Sequence, residues 1–271
     1  MSVVLITGAS TGFGRATAEA LASRGHQVFA GIRDIHGRNE KAKTDLTALG
    51  VRVIELDVTD QQSADRAITE LLAEAGRLDI VVNNAGGIFV GPVEAFTAEQ
   101  VQQQFDVNTL GAVRVNRAAL PHLRAQGSGA LIQIGSIAAR VTTPFAGLYA
   151  ASKAALAALT EAWHDELAPF GVESVILDAA SYPTNIGNNA TFAQAEPYAE
   201  AFGAYVAGVS AQTPGDPAEV TDALVALVET PAGQRPRRTV VAPAPQFEAI
   251  TVLNRTAAEV AVAFKTATGI K

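Results

Sequence analysis

The chain has 271 residues, of which 48% are hydrophobic and 17% are charged, and its formal net charge is −7 at pH 7. This composition fills a core and excludes a disordered chain, while the negative charge argues against nucleic acid or an anionic membrane as a partner. Cysteine is absent, which excludes disulfides, thiolate catalysis and a zinc site with sulfur ligands. The 4 histidines show no metal-ligand spacing, so we expect no metal site.

The amino-terminal segment 1–6 is apolar but carries no basic region and no cleavage site, which argues against a signal peptide. No apolar run approaches the roughly 18 residues that are needed to span a bilayer. We therefore expect a cytoplasmic protein.

Short runs rich in Val and Ile alternate along the chain with longer segments of helical periodicity. This alternation predicts β–α units around a parallel sheet, and continuous apolar strands indicate burial on both faces. We predict one α/β domain with a doubly wound, parallel sheet of about seven strands and helices on both faces. The predicted strands are 3–6, 28–31, 51–56, 80–82, 130–134, 173–177 and 239–242.

The first strand runs into a glycine-rich turn that opens directly into an amphipathic helix. Glycines in such a turn let the backbone approach a pyrophosphate, and the start of the helix adds free N–H groups and a positive dipole. The turn therefore predicts a dinucleotide site, although the glycines alone also suit an ordinary tight turn. The candidate cofactor-binding residues here are Gly8, Ser10, Thr11, Gly12, Phe13 and Gly14.

The end of the second strand bears on the choice of cofactor. NAD sites place an acidic residue here for the ribose 2′-hydroxyl, whereas NADP sites use a base for the 2′-phosphate. Ile32 occupies the acidic position and Arg33 follows it, and a guanidinium binds phosphate through two hydrogen bonds. NADP(H) is therefore favoured over NAD(H). The alternative is that Arg33 pairs with Asp34 on a solvated turn.

Tyr149 and Lys153 are four residues apart, so on a helix their side chains lie on one face, one turn apart. A nearby ammonium favours the phenolate and brings the pKa of tyrosine toward the working range of an acid–base catalyst. Tyr149 can then exchange a proton with a carbonyl or alcohol oxygen of the substrate. Ser136, at the end of a predicted strand, can donate a hydrogen bond to the same oxygen. Taken singly, these residues also suit a capping serine, a packed tyrosine and a lysine that extends to solvent.

Together these motifs resemble the short-chain dehydrogenase/reductase family, in its single-domain branch of ketoreductases and hydroxysteroid dehydrogenases. The resemblance runs from about residue 3 to residue 242 and implies a Rossmann-type fold. It also implies hydride transfer between a nicotinamide and a carbonyl or secondary alcohol. The motifs that carry it are the turn from Thr7 to Gly14, Asp57-Val58, Asn83-Asn84-Ala85-Gly86, Asn108, Ser136 and Tyr149 to Lys153.

The resemblance also implies roles for single residues. Asp57 and Val58 would hold the adenine, although Asp57 alone also suits a strand-end turn or a helix N-cap. Asn108 would anchor a water that joins Lys153 to solvent, and Lys153 would also bond the nicotinamide ribose. Asn84, Ala85 and Gly86 would line the adenosine ribose, Thr184 would contact the nicotinamide carboxamide, and the catalytic set would be Asn108, Ser136, Tyr149 and Lys153.

The chain departs from the family pattern after the sixth strand, where Ala179-Ala180 replaces Pro-Gly. We expect this loop to be rebuilt around Pro183. The segment 182–217 that follows is too long for an ordinary loop and is rich in aromatic residues, so we expect a lid or substrate wall that favours an apolar or alicyclic carbonyl.

Residues 1–245 would form the catalytic domain, and 246–271 a helical tail packed on this domain or on a partner subunit. The tail carries Ile250, Leu253, Ala257, Val260 and Phe264 at helical spacing. Alanine-rich helices near 98–124 and 150–169 permit close packing, and the family pairs such helices, so we expect a homodimer or homotetramer. The alternative function is a non-catalytic NADP-sensing or scaffold protein, whose usual sign is loss of the tyrosine or lysine.

Overall fold

The computed structural model describes residues 1–211 and 215–268. The strands are β1 (Val3–Thr7), β2 (Gln27–Ile32), β3 (Arg52–Glu55), β4 (Ile80–Asn83), β5 (Phe89–Val90), β6 (Gly129–Ser136), β7 (Val172–Ala179), β8 (Thr191–Phe192) and β9 (Arg238–Val241). The helices are α1 (Gly12–Ser23), α2 (Glu40–Ala48), α3 (Gln61–Ala75), α4 (Ala98–Phe105), α5 (Gly111–Gln126), α6 (Gly147–Leu167), α7 (Asn185–Asn188), α8 (Ala199–Ser210), α9 (Pro217–Glu229) and α10 (Ala244–Thr268). A π-helical segment, Asp106–Leu110, joins α4 to α5.

The central sheet has seven parallel strands in the order β3-β2-β1-β4-β6-β7-β9. This confirms the predicted doubly wound α/β fold, and each of the seven predicted strands is present. The strand order reverses beside β1, and in such sheets ligands bind outside the carboxyl ends of the strands at this point. The two-residue strands β5 and β8 pair in a separate small sheet and are too short to show as an apolar run.

The core consists of two apolar layers, one on each face of the sheet. Neighbouring residues of a strand point to opposite faces, so Leu5 and Ile6 of β1 belong to different layers. Leu21 of α1 and Leu224 of α9 fill one layer, and Leu123 of α5 contributes to the other. Helices thus cover both faces, as the continuous apolar strands predict.

The tail forms the long helix α10, which makes few buried contacts. Ile250 is buried, but Leu253, Val260 and Phe264 are 44%, 63% and 63% exposed. The expected packing of this stripe on the domain is therefore limited to Ile250. Tail residues 269–271 and residues 212–214 of the expected lid lie outside the described part of the chain. Within the described part, no helix is long and apolar enough to cross a membrane.

Candidate active site

The glycine turn between β1 and α1 has the shape of a phosphate cradle. Gly8 and Gly12 have φ angles of +65° and +58°, in the left-handed region that favours glycine. A Cβ atom on Gly14 would collide with the side chain of Asn84. Thr11 precedes α1 with extended backbone, and its side chain makes no capping hydrogen bond, so the first N–H groups of the helix remain available to an anion. The turn therefore fits the pyrophosphate of a dinucleotide.

The loop after β4 closes over this turn. The Asn84 side chain donates hydrogen bonds to the carbonyl oxygens of Thr7 at 2.9 Å and Gly8 at 3.2 Å. Ala85 lies directly against Gly8. A Cβ atom added to Gly8 would be only 2.8 Å from the Cα atom of Ala85. Gly86 extends the loop toward the opposite side of the site. A Cβ atom added to Gly86 would be 3.7 Å from the ammonium nitrogen of Lys153. The loop thus lies between the glycine turn and Lys153.

Arg33 is exposed directly after β2. The carboxylate of Asp34 instead faces Arg38, whose backbone N–H it accepts at 3.1 Å and whose Nε lies 3.8 Å away. Within residues 1–211 and 215–268, no ion pair involves Arg33. The alternative in which Asp34 neutralises Arg33 is therefore not what the structure shows.

Asp57 lies just beyond β3, near Arg33 and Arg38. Its Oδ1 accepts hydrogen bonds from the N–H (2.9 Å) and the hydroxyl (2.7 Å) of Thr59, so it closes a turn, while the N-cap of α3 is Asp60. Burial acts to raise the pKa of Asp57, but the Thr59 hydrogen bonds and the charges of Arg33 and Arg38 bring it below its usual value. Val58, the next residue, is buried.

Ser136, Tyr149 and Lys153 meet at the carboxyl end of β6. Ser136 is the last residue of this strand, and the other two side chains project from the first turns of α6. The Lys153 ammonium lies 5.9 Å from the centroid of the Tyr149 ring and donates to the Ile134 carbonyl oxygen at 2.7 Å. Since β6 and β1 are both neighbours of β4, this group lies at the same sheet edge as the glycine turn.

The expectation that Lys153 lowers the pKa of Tyr149 is wrong for this structure. Burial raises the pKa of Tyr149, and the hydroxyl of Ser136 only partly opposes that shift. The buried ammonium points to the Ile134 carbonyl oxygen, and its own burial lowers the pKa of Lys153 from 10.5 to about 8. Desolvation therefore sets the direction of the shift at both residues.

Asn108 lies in the π-helical segment and is buried. Its side-chain amide donates to the Gly87 carbonyl oxygen and to the Ser152 hydroxyl, both at 3.0 Å, and its Oδ1 accepts from Gly87 N–H at 2.8 Å. Ser152 in turn donates to the carbonyl oxygen of Tyr149 at 2.7 Å. Asn108 therefore links the loop after β4 to the first turn of α6, and its role toward a water stays a prediction.

Tyr182 anchors the loop after β7, a role that sequence reasoning missed. Its ring packs edge-on against Phe13 at 6.1 Å, and its hydroxyl donates to Glu219 at 2.9 Å. Pro183, the expected centre of the loop, lines a cavity of about 350 Å³ beside the glycine turn. Thr184 caps α7 and lies across from Gly12, whose ideal Cβ would be 3.6 Å from it.

An aromatic cluster joins Phe145, which sequence reasoning missed, to α8 in the segment that was expected to form a lid or substrate wall. Phe145, four residues before Tyr149, packs against Phe202 and Tyr205 of α8 with ring centroids 5.2 Å and 5.4 Å away. Phe145 has a φ of +65°, which is rare for a bulky side chain. Phe145 also lines an open cleft of about 530 Å³ with Pro92, Val93, Glu94, Pro144 and Tyr198.

No group of three or more acidic or histidine side chains that could hold a metal ion occurs among the described residues. A glycine turn that fits a pyrophosphate and a Ser–Tyr–Lys group share one edge of a doubly wound sheet, which is the arrangement of a nicotinamide-dependent oxidoreductase. The chain belongs to the short-chain dehydrogenase family, whose model matches residues 2–194. This confirms the resemblance that the motifs indicate.

Curated relatives and solved structures agree with this membership. The chain is 34% identical over 204 residues to the 3-ketodihydrosphingosine reductase of Bacteroides thetaiotaomicron, covering 74% of this chain and 72% of that protein. It is 37% identical over 190 residues to human 17-beta-hydroxysteroid dehydrogenase type 1, covering 68% of this chain and 57% of that protein. A short-chain dehydrogenase structure from Streptomyces avermitilis matches all of this chain and 99% of its own, with a TM-score of 0.82 and 35% identity.

Two further solved structures carry different cofactors. The alcohol dehydrogenase from Thermococcus sibiricus, complexed with 5-hydroxy-NADP, has a TM-score of 0.72 and 27% identity, covering 89% of this chain and 96% of its own. The short-chain dehydrogenase/reductase from Burkholderia phymatum, in complex with NAD, has a TM-score of 0.78 and 26% identity, covering 92% of each chain. The protein is thus a family oxidoreductase with a nicotinamide site, and the choice between the two cofactors depends on its own residues.

Proposed function

We propose that this protein is an NADP(H)-dependent oxidoreductase that interconverts a carbonyl group and a secondary alcohol on an apolar or alicyclic substrate. The observation that carries this proposal is the convergence of Ser136, Tyr149 and Lys153 at the sheet edge that also holds the glycine turn. The bound nicotinamide supplies or accepts the hydride.

The side chains of this chain supply the proton and orient the substrate. In reduction, the Tyr149 hydroxyl donates its proton to the carbonyl oxygen, and in oxidation the phenolate takes the proton of the alcohol. The Ser136 hydroxyl donates a hydrogen bond to the same oxygen and fixes its direction. The Lys153 ammonium favours the phenolate that remains after proton donation, because opposite charges in a buried site attract strongly. Asn108 holds this part of α6 through Ser152.

The preference for NADP(H) is supported by the surroundings of Arg33. It directly follows β2, one residue after the position where NAD sites place an acidic residue for the ribose 2′-hydroxyl, and Asp34 faces Arg38. Arg33 acts together with Arg38 on Asp57, which indicates a positive field beside the adenosine pocket. The remaining proposed cofactor contacts are the backbone of the glycine turn, the loop Asn84–Gly86, Val58 and Thr184.

An apolar substrate is supported by the aromatic cluster at the open cleft. Phe145 and Tyr198 line this cleft, with Glu94 as an acidic residue in its lining. The rings of Phe202 and Tyr205 pack on Phe145. Such a wall favours apolar ligands and disfavours phosphorylated ones.

The protein is also proposed to form a homodimer or homotetramer, with α4, α5 and α6 at the contact between subunits. Sedimentation equilibrium tests this, and the cytoplasmic location stays a prediction.

Cofactor titration tests the proposed site and also separates it from the alternative of a non-catalytic scaffold. NADPH and NADH are titrated separately into the purified protein, and nicotinamide fluorescence reports binding. We expect Arg33→Ala to weaken NADPH binding about tenfold, or about 1.4 kcal/mol, with NADH binding unchanged.

Arg24→Ala is the matched control, since Arg24 is also exposed but lies at the opposite end of α1 from the glycine turn, where it pairs with Glu229 at 3.7 Å. Equal loss for both cofactors would mean that Arg33 does not contact the 2′-phosphate. Binding of neither cofactor by the wild type would contradict the oxidoreductase. Binding without turnover of any carbonyl would favour the sensing or scaffold function.

A further inference from the structure

A buried carboxylate lies behind the proposed catalytic group. Asp178 of β7 is fully buried, and its Oδ2 forms an ion pair with Arg238 of β9, whose side chain is 11% exposed. Removing a carboxylate from water is costly unless it is paired. Neither Asp178 nor Arg238 has a part in the proposed chemistry, so this buried ion pair needs a separate explanation.

The register of the sheet places Asp178 next to the catalytic strand end. Asp178 pairs with Gly135 of β6, and a Cβ atom on Gly135 would collide with its Oδ1. Gly135 lies between Ile134, whose carbonyl oxygen accepts from Lys153, and Ser136. The carboxylate of Asp178 therefore contacts β6 at Gly135, between Ile134, which binds the Lys153 ammonium, and Ser136, which lies beside Tyr149 in the proposed site.

The two oxygens of this carboxylate have different surroundings. Oδ2 faces the guanidinium of Arg238, but Oδ1, on the side of Gly135, has no hydrogen-bond partner among the described residues. This oxygen therefore carries its share of the negative charge on the side of Gly135 with no donor bound to it. In a buried region of low dielectric, such a charge acts over several Å.

A chain of ion pairs fixes the far side of Arg238. Arg238 donates to Glu161 of α6 at 2.8 Å, and Glu161 also accepts from Arg140 at 2.9 Å. Arg140 in turn donates to Asn254 of α10 at 2.9 Å. The guanidinium of Arg238 therefore contacts both Asp178 of β7 and Glu161 of α6, and Glu161 is in turn held by Arg140.

Asp178 is faced by the charged or titratable side chains of Tyr149, Lys153, Arg140 and Arg238. Its charge raises the pKa of both Tyr149 and Lys153. Burial raises the pKa of Asp178 itself, while Arg238, Arg140 and Lys153 oppose that shift. A guanidinium in direct contact favours the ionised carboxylate.

We propose that Asp178 is a positioning residue for proton transfer, which keeps Lys153 protonated and Tyr149 neutral from behind the sheet edge, with Arg238 holding the carboxylate in place. Its catalytic consequence rests on the proposed function, but its effect on Lys153 does not.

The test is a pH titration of Lys153 in the protein without cofactor or substrate. Lysine is labelled with ¹³C at Cε, the resonance is assigned with Lys153→Met, and its chemical shift is followed with pH in wild type and Asp178→Asn. We expect the substitution to lower the pKa of Lys153 by on the order of one pH unit. If activity is found, the pH–rate profile should shift to lower pH by a similar amount.

Glu173→Gln is the matched control, because Glu173 lies at the other end of β7 and pairs with Arg235, whose side chain is shielded much like that of Arg238. We expect it to lower stability without moving the Lys153 titration. If Asp178→Asn does not fold, Asp178→Asn with Arg238→Gln replaces it, since this pair of changes leaves no lone buried charge. An unchanged Lys153 titration in the folded variant would overturn the proposal, whether or not the protein turns over a substrate. A shifted titration without any turnover would support it and count against the proposed function.

Discussion

The side-chain hydroxyl of Thr7 accepts a hydrogen bond from the backbone N–H of Ala85 at 3.0 Å, which joins the end of β1 to the loop after β4. The same hydroxyl accepts the N–H of Asn84 at 3.1 Å, and Thr7 is buried. Two backbone donors of the proposed cofactor site therefore depend on one side-chain oxygen.

Thr7→Val should leave both N–H groups without an acceptor. We expect a loss of about 1–3 kcal/mol in the free energy of unfolding, measured by urea denaturation, and weaker binding of the dinucleotide. Thr17→Val is the control, since Thr17 is a buried threonine of α1 whose hydroxyl has no partner among the described residues. It should be neutral or slightly stabilising, and equal losses for the two variants would contradict the account.

Lys153→Met should stabilise the protein at neutral pH while abolishing activity. The pKa of Lys153 is lowered to about 8 in the folded chain from 10.5, so below pH 8 the buried charge opposes folding by roughly 3 kcal/mol. The lost hydrogen bond to Ile134 offsets part of this, which leaves an expected gain of about 1–2 kcal/mol.

The sign of the pH dependence follows from the same values. Between pH 8 and 10.5 the unfolded chain binds more protons at this lysine than the folded chain, so the wild type becomes more stable as the pH rises. The advantage of Lys153→Met is therefore full below pH 8 and shrinks toward pH 10.5. Thermal unfolding at pH 7 and pH 10 checks this, and an advantage that grows with pH would contradict it.

Phe202→Ala should weaken substrate binding more than it slows the chemical step. Phe202 packs on Phe145 at 5.2 Å, and Phe145 lines the cleft. Loss of the Phe202 ring therefore removes the support of this wall without changing Tyr149. We expect KM for an apolar ketone to rise about tenfold, or about 1.4 kcal/mol, with a smaller change in kcat. Phe170→Ala is the control, because that ring is half exposed and lies against Arg124. An unchanged KM for Phe202→Ala would remove the aromatic wall from the account.

Most of the fold and the centre of the site follow from local sequence signals. Each strand of the main sheet contains a short apolar run. The stretch from Val3 to Ser23 combines a strand, a turn with three glycines and an amphipathic helix. Tyr149 and Lys153 are related by one helical turn, which spacing alone predicts.

Features that depend on distant parts of the chain could not be predicted. Tyr182 is anchored by Glu219, 37 residues away, and Asp178 by Arg238, 60 residues away. The left-handed backbone of Phe145 has no sequence signal, because such a conformation is held only by its surroundings. The expected lowering of the Tyr149 pKa failed for a related reason, since spacing gives the distance between two groups but not their burial.

The exposed face of α10 shows a further limit. The stripe Leu253, Val260 and Phe264 has the same periodicity as a core helix, yet these side chains are exposed and Ile250 is buried. Periodicity predicts a helix with an apolar face, but not what that face contacts.

The central claim is that Tyr149 transfers the proton during hydride transfer to a carbonyl. The measurement is NADPH oxidation, followed by absorbance, with a panel of apolar and alicyclic ketones and with sugar phosphates, comparing wild type with Tyr149→Phe. The account predicts turnover of apolar ketones by the wild type and a loss of about 10²–10⁴ in kcat in Tyr149→Phe, with NADPH binding retained. Turnover that survives in Tyr149→Phe would contradict it.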